Sequence, residues 1–214
     1  MFDAVLCRLA AGRRLYRKKC TVKTVGFICD VKLVGETDGD VPQALVRVNA
    51  LDENGGLFRT SLLKHIAREL LLQLKPGCAL PILYNPKNKA QAVFDSYPDE
   101  TRIQELMDLH ECGKHPEGTP MEERRRINRN GVIRRALLEN IRLTGRREHG
   151  EQEAEVTVRF FDDFAGTDTA RRRMYLNERV LQHLAVGGYI DIRMVPENKN
   201  LFAFIVPASQ ICPF

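Results

Sequence analysis

The chain contains no tryptophan, and aromatic residues make up only 7% of it. Any stacking surface must therefore be built from its 10 phenylalanines and 5 tyrosines. Long apolar runs are missing as well. Nothing approaches the ~20 residues that a bilayer-spanning helix requires, and the C-terminal stretch Leu201-Phe-Ala-Phe-Ile-Val206 is strand-sized. In Met1-Phe-Asp-Ala-Val-Leu-Cys-Arg8 an acid precedes any base and Arg8 splits the apolar run, which is not the pattern of a secretory signal. The six cysteines, Cys7, Cys20, Cys29, Cys78, Cys112 and Cys212, form no Cys-x-x-Cys pair. Without an export signal they are expected as reduced thiols in a cytoplasm. The chain also lacks G-x-S-x-G, H-E-x-x-H, a Walker phosphate loop and G-x-G-x-x-G. No other constellation replaces these, so neither an enzyme nor a cofactor is expected.

The chain does have an internal repeat. At a fixed offset of 110, Ala44/Ala154, Val46/Val156, Val48/Val158, Asp52/Asp162, Gly56/Gly166, Leu71/Leu181, Leu74/Leu184, Gly77/Gly187, Ile82/Ile192, Pro86/Pro196, Asn88/Asn198, Lys89/Lys199 and Phe94/Phe204 coincide. These 13 identities fall within positions 44–94 without a gap. Such self-similarity decides architecture before anything else does. The shared residues are apolar at alternating spacing, or glycine and proline at turns. They are residues that set backbone geometry and fill a core, not residues that do chemistry.

A length of 214 residues allows one large or two small domains, and the repeat selects two. The predicted fold is α+β and mainly β: two tandem small β-barrels joined by a helical linker. The expected boundaries are an N-terminal amphipathic helix over 1–19, a first barrel over 20–95, a linker over 96–130 and a second barrel over 131–214. Within each barrel the predicted order is strand, strand, helix, strand, strand. Thr21–Val34 is β-branched, and Gln43–Leu51 alternates with Ala44, Val46 and Val48 on one face. Leu62, Leu63, Ile66, Leu70 and Leu74 then follow helical spacing up to Lys75-Pro76-Gly77. Ala79–Tyr84 and Ala90–Asp95 form a closing hairpin. In the second copy the corresponding elements are Gly131–Leu143, Gln152–Phe161, a helix over Tyr175–Ala185, Tyr189–Val195 and Asn200–Val206. In the linker a helix is predicted over Pro98–Leu109. A second follows a capping box at Thr119-Pro-Met-Glu122, with Thr119 at the cap.

Several clusters are candidates for function. His110, Cys112 and His115 are the most metal-like group, but a structural zinc takes four ligands, and the stretch reads as a polar helix end. Asp52-Glu53 and Asp162-Asp163 sit at matching turns, where aspartate bonds the local backbone. The basic residues are more informative. The net charge is +5 and the pI about 8.9. The arginines cluster in the second half as Arg124, Arg125, Arg126, Arg134, Arg135, Arg146, Arg147, Arg171, Arg172 and Arg173. Small barrels that bind single strands combine a basic groove with aromatic platforms, and Phe160, Phe161, Phe164 and Tyr175 are available. Glu148, Glu151, Glu153 and Glu155 lie among these arginines, however, as on a solvated face of mixed charge. Residues 2–19 place Phe2, Val5, Leu6 and Leu9 ahead of Arg13, Arg14, Arg17, Lys18 and Lys19. They read as a helix packed by its apolar stripe, with membrane-surface contact as the lesser reading.

Leu74-Lys-Pro-Gly-Cys-Ala-Leu-Pro-Ile-Leu-Tyr-Asn-Pro-Lys-Asn88 resembles the ending of a class of uncharacterised bacterial small β-barrel domains. In these a short helix precedes glycine, a strand and a Tyr/Val-Asp-Pro-x-Asn/Asp-Pro turn. The chain differs by Asn85 in place of the acid and Lys89 in place of the last proline, and the second copy keeps only Gly187, Pro196 and Asn198. The resemblance covers roughly 20–95 and implies the fold and a bacterial source, but no activity. By elimination the first expectation is a non-enzymatic, cytoplasmic interaction or assembly module with a protein partner. The alternative is single-stranded nucleic-acid binding through the arginine-rich second barrel. An enzyme with a site between the barrels ranks last.

Overall fold

The computed structural model describes residues 19–36, 41–67, 71–72, 74–162 and 166–205. The helix expected over residues 2–19, and its membrane-surface reading, lie outside the described residues except for the last position. No described helix is long and apolar enough to cross a membrane. The described residues form two compact units, the first ending at His110 and the second starting at Glu111. Both are mainly β.

The first unit contains β1 (Val22–Glu36), β2 (Pro42–Leu51), β3 (Leu57–His65), β4 (Ala79–Asn85) and β5 (Asn88–Phe94). β1 pairs antiparallel with β2 along one edge and with β4 along the other. A strand of 15 residues must bend to serve two neighbours, and register shifts between Ile28 and Asp30 and between Leu33 and Gly35 provide the bend. The order β1-β2-β3-β5-β4 closes into a barrel, sealed by a parallel contact at Ser61 and Gln91. β2 alternates as its sequence predicts, with Ala44, Val46, Val48 and Ala50 buried and Arg47 exposed. Ile28, Leu62, Leu80 and Ile82 complete the core around them. The helix α1 (Glu100–Lys114) lays Leu106 on Val25 and Leu51. At the β2–β3 turn Asp52 Oδ1 accepts from the amides of Asn54 (3.0 Å) and Gly56 (2.8 Å). Lys89 Nζ lies 2.9 Å from Asp52 Oδ2, and this bond holds the Asp52 carboxyl below its ordinary pKa.

The second unit contains α2 (Met121–Asn130), β6 (Val132–Glu148), β7 (Glu151–Asp162), β8 (Gly166–Leu176), α3 (Glu178–His183), β9 (Tyr189–Val195) and β10 (Asn198–Phe204). Its sheet has the order β10-β9-β6-β7-β8. Ladder partners recur 110 positions on. Val22 faces Tyr84 and Val132 faces Met194. Ile28 faces Val48 and Leu138 faces Val158, each followed by a bulge. Ile82 faces Phe94 and Ile192 faces Phe204.

Three expectations need correction. The first part of the helix predicted from Ser61, through His65, is in fact the second half of β3, which pairs with β2 from Leu51↔Leu57 to Gln43↔His65; Leu71 is helical, and residues 68–70 and 73 lie outside the described residues. The inward positions of β3 include Thr60 and Lys64, so the apolar alternation that marks a strand is broken, and ladder bonds outweigh the helical spacing of the leucines. The second copy likewise has an unpredicted third strand, β8, disguised by its arginines. Its helix starts only at Glu178, where Asn177 Oδ1 accepts from the Val180 amide at 2.9 Å. The Thr119 capping box does not form. The helix begins after Pro120, one position past Thr119, with no side-chain cap bond, and the Thr119 hydroxyl accepts from Arg172 Nη2 at 2.9 Å.

The second sheet also lacks the ladder that seals the first. The position of Leu62, fully buried in the first core, is held 110 residues on by Arg172. A guanidinium cannot be buried without partners for its donors. Arg172 turns to the seam between β8 and β10, where it donates to the Phe202 carbonyl. The Arg171 amide is satisfied by Asn200 Oδ1 (2.9 Å) and not by a backbone carbonyl.

A Cβ on Gly26 would lie 2.9 Å from Val48 Cγ2 and 3.3 Å from Ile82 Cδ1, whereas its counterpart, Ala136, is accommodated fully buried. Gly26→Ala is therefore expected to destabilise the chain by about 1–3 kcal/mol, read as a lower urea midpoint. A stabilisation, which the loss of glycine's chain entropy alone would give, would contradict the packing described.

Candidate functional site

The outward face of the first unit carries a groove of about 500 Å³ lined by Cys29, Asp30, Arg47, Asn49, Arg59, Thr60, Ser61 and Ala90. Period-2 alternation builds it. With Val46 and Val48 directed into the barrel, Arg47 and Asn49 face out, and β3 places Arg59 opposite Asn49 and Ser61 opposite Arg47. The bulge in β1 adds Cys29 and Asp30. Arg47 Nη1 lies 3.3 Å from Asp30 Oδ2 across exposed surface. Arg59 has no acidic partner among the described residues. Thr60, 6% exposed, has a hydroxyl without a hydrogen-bond partner among them. None of these residues was singled out from the sequence. Arg47 stands out only in retrospect, as the one charged residue of β2.

The structure does not gather the sequence-predicted arginines into one patch. Arg124 Nε donates to the Thr119 carbonyl (3.2 Å). Arg125 is exposed, and Arg126 lies 3.8 Å from Glu197. Arg134 is half-buried on β6, while Arg135 is exposed with its guanidinium 5.5 Å from the Tyr189 ring centre. Arg146 bridges Glu117 (2.6 Å) and Glu148 (2.5 Å), and Arg147 is exposed. Arg171 and Arg142 both bind Glu155, the former at 2.6 Å. Arg173 is exposed, across the ladder from Glu155. Arg172 is largely buried, and burial lowers its pKa to about 10, with Glu123 opposing the shift. Beside it lies a cavity of about 400 Å³ lined by residues including Arg171, Arg173, Asn198, Asn200 and Thr119. Of the aromatic candidates Phe160 is core and Phe161 is exposed, Phe164 lies outside the described residues, and Tyr175 stacks on His115 with ring centres 3.7 Å apart.

The metal-like cluster read from the sequence separates. His110 bonds the Gly55 carbonyl (3.0 Å), and Cys112 Sγ donates to the Thr119 carbonyl (3.6 Å). His115, 2% exposed, turns instead to two glutamates that sequence reasoning set aside. Its Nε2 lies 2.8 Å from Glu151 Oε2 and its Nδ1 3.4 Å from Glu148 Oε2. The tight β6–β7 turn, with His149 and Gly150 both at positive φ (50° and 81°), brings these two glutamates together. Cys20, Cys29, Cys78 and Cys112 are in no disulfide among the described residues.

No protein-family model matches the chain, and no curated protein does. Among solved structures it is similar to a murine DNA-binding protein bound to double-stranded DNA, at 10% identity and a TM-score of 0.23, covering 81% of this chain and 83% of that one. It is also similar to a replication protein A heterotrimer bound to single-stranded DNA, at 10% identity and a TM-score of 0.22. That match covers 89% of this chain but spans only half of the other. Scores this low carry no argument about function.

The Arg171 and Arg142 bonds pull the Glu155 carboxyl down from its ordinary 4.5 to about 2. A depressed carboxyl stabilises the fold above its unfolded pKa, and that contribution fades as pH falls toward the folded value. The stability difference between wild type and Glu155→Gln should be constant above about pH 4.5 and should close toward about pH 2. Denaturant titrations at several pH values measure it, and a difference unchanged down to pH 2 would contradict the assigned pairing.

Proposed function

We propose that the chain binds single-stranded nucleic acid on the outward face of its first barrel, chiefly through phosphate contacts. The observation that carries this reading is the groove holding Arg47 and Arg59 beside Asn49 and Ser61. A five-stranded barrel in the order β1-β2-β3-β5-β4 has the topology of the oligonucleotide/oligosaccharide-binding fold, whose ligand face is on its second and third strands. The groove lies on those strands. Two arginines with no aromatic side chain in the lining favour a charged backbone over a stacked sugar ring. They also predict binding with little sequence preference, since phosphates carry none. The net charge of +5 agrees in sign.

The second unit takes a lesser part in this proposal. Arg142 and Arg171 on its outer face both bind the one carboxylate of Glu155, so phosphates there compete with a carboxylate already in place on each arginine. We also read the chain as a duplicated barrel unit joined by helices, as the sequence repeat suggests. The ladder registers that recur at an offset of 110 support this reading. Nucleic-acid binding is itself a non-enzymatic binding role, and no described feature favours a protein partner over it.

Fluorescence anisotropy with an oligothymidylate tests the proposal. Affinity should fall steeply with salt. Arg59→Ala should weaken binding and reduce the slope of log K against log salt by about 0.7, the share of one phosphate contact on a single strand. Arg171→Ala should change the slope less. Absence of binding at low salt, or a slope that Arg59→Ala leaves unchanged, would overturn it.

A further inference from the structure

His115 lies just beyond α1, four residues after Glu111, so the two side chains share one face of the helix end. The β6–β7 turn presents Glu148 and Glu151 to the same imidazole. A ring nitrogen of His115, a Glu151 oxygen and a Glu111 oxygen lie within 4.8 Å of one another. The one cation among them is Lys114, whose Nζ is 2.5 Å from Glu151 Oε1 and 3.4 Å from Glu111 Oε1. The imidazole is 2% exposed and held flat against Tyr175.

A carboxylate on each ring nitrogen is the distinguishing feature. A histidine that ligates a metal through one nitrogen usually donates from the other to an outer carboxylate, which sets the tautomer. Glu148 is placed for that outer role at Nδ1, and Arg146 holds it in turn at 2.5 Å. Nε2 is then the free ligand atom, aimed at Glu151. Nearby, Glu111 is partly exposed and held by Lys114 at 3.4 Å. Two metal–ligand bonds of about 2.0–2.1 Å at a tetrahedral angle put the ligand atoms roughly 3.3 Å apart, so His115 Nε2 and Glu151 Oε2, 2.8 Å apart, open by about 0.5 Å and Glu111 turns inward to complete the set.

We propose that His115, Glu151 and Glu111 bind one divalent transition-metal ion of the zinc class, with Glu148 as the outer partner of His115. Lys114 is the cation that the metal displaces. An imidazole with two carboxylates suits zinc over magnesium, which prefers all-oxygen sites. Three protein ligands leave a fourth position open to water. This site is independent of the nucleic-acid groove.

The test is titration of the chelator-treated full chain with Zn²⁺ by calorimetry, and with Co²⁺ by visible absorption, with Mg²⁺ as control. One equivalent of Zn²⁺ or Co²⁺ is expected to bind, and Mg²⁺ is not. Glu148→Gln is expected to weaken Zn²⁺ about 10–100-fold, and Lys114→Met to tighten it by removing the competing ammonium. Glu111→Gln, an isosteric change at a partly exposed position, should also weaken it, which keeps the test open if His115→Asn fails to fold. No saturable binding, binding that Glu111→Gln and Glu148→Gln leave unchanged (as at a cysteine thiol), or Lys114→Met that fails to tighten it would each overturn the proposal.

Discussion

Each unit hangs on one strand hydrogen-bonded along both edges. β1 serves β2 and β4, and β6 serves β7 and β9. A strand paired on both sides cannot stay flat once its partners curl toward each other, so the ladder breaks at a bulge after Ile28 and again after Leu138. The bulge is thus a condition of curvature, and it also sets chemistry. In the first unit it turns Cys29 and Asp30 onto the face where Arg47 and Arg59 stand. The inward set, Ile28, Val46, Val48, Leu62 and Ile82, is correspondingly locked to the core, because a one-residue slip would move it all into water.

Where the two units differ, charge is the cause. Leucine at position 62 lets the first barrel close over an apolar core. Arginine at position 172 brings five donors to the same inward place, and they find the Phe202 carbonyl, the Thr119 hydroxyl and Glu123. The seam is then bridged by side chains and a cavity opens beside it. One arginine at an inward position thus accompanies both the open sheet and the cavity beside it.

Much of the fold was legible in the sequence. Strands with clean alternation, such as Gln43–Leu51 and Gln152–Phe161, were readable because period-2 burial leaves an unbroken mark. The closing hairpins were readable from their Asn-Pro and Pro-Glu turns. The third strands were not, since Thr60 and Lys64 interrupt the inward face of one and Arg172 that of the other. The site was harder still. The arginine clusters drew attention by number, yet number does not reveal that Arg142 and Arg171 share Glu155. Arg47 is the one charge of β2 and Arg59 lies at the start of β3, and only the barrel places them side by side. His115 was noticed beside the wrong companions, because Glu148 and Glu151 reach it from a hairpin far along the chain.

The central claim is that a nucleic-acid strand lies on the β1–β3 face of the first barrel. The most direct measurement is a backbone amide NMR map of the full chain titrated with an oligothymidylate. The account predicts shifts concentrated at Asp30, Arg47, Asn49, Arg59 and Ser61, with small changes on β7 and β8. Shifts confined to the second unit, or spread evenly over both, would contradict it.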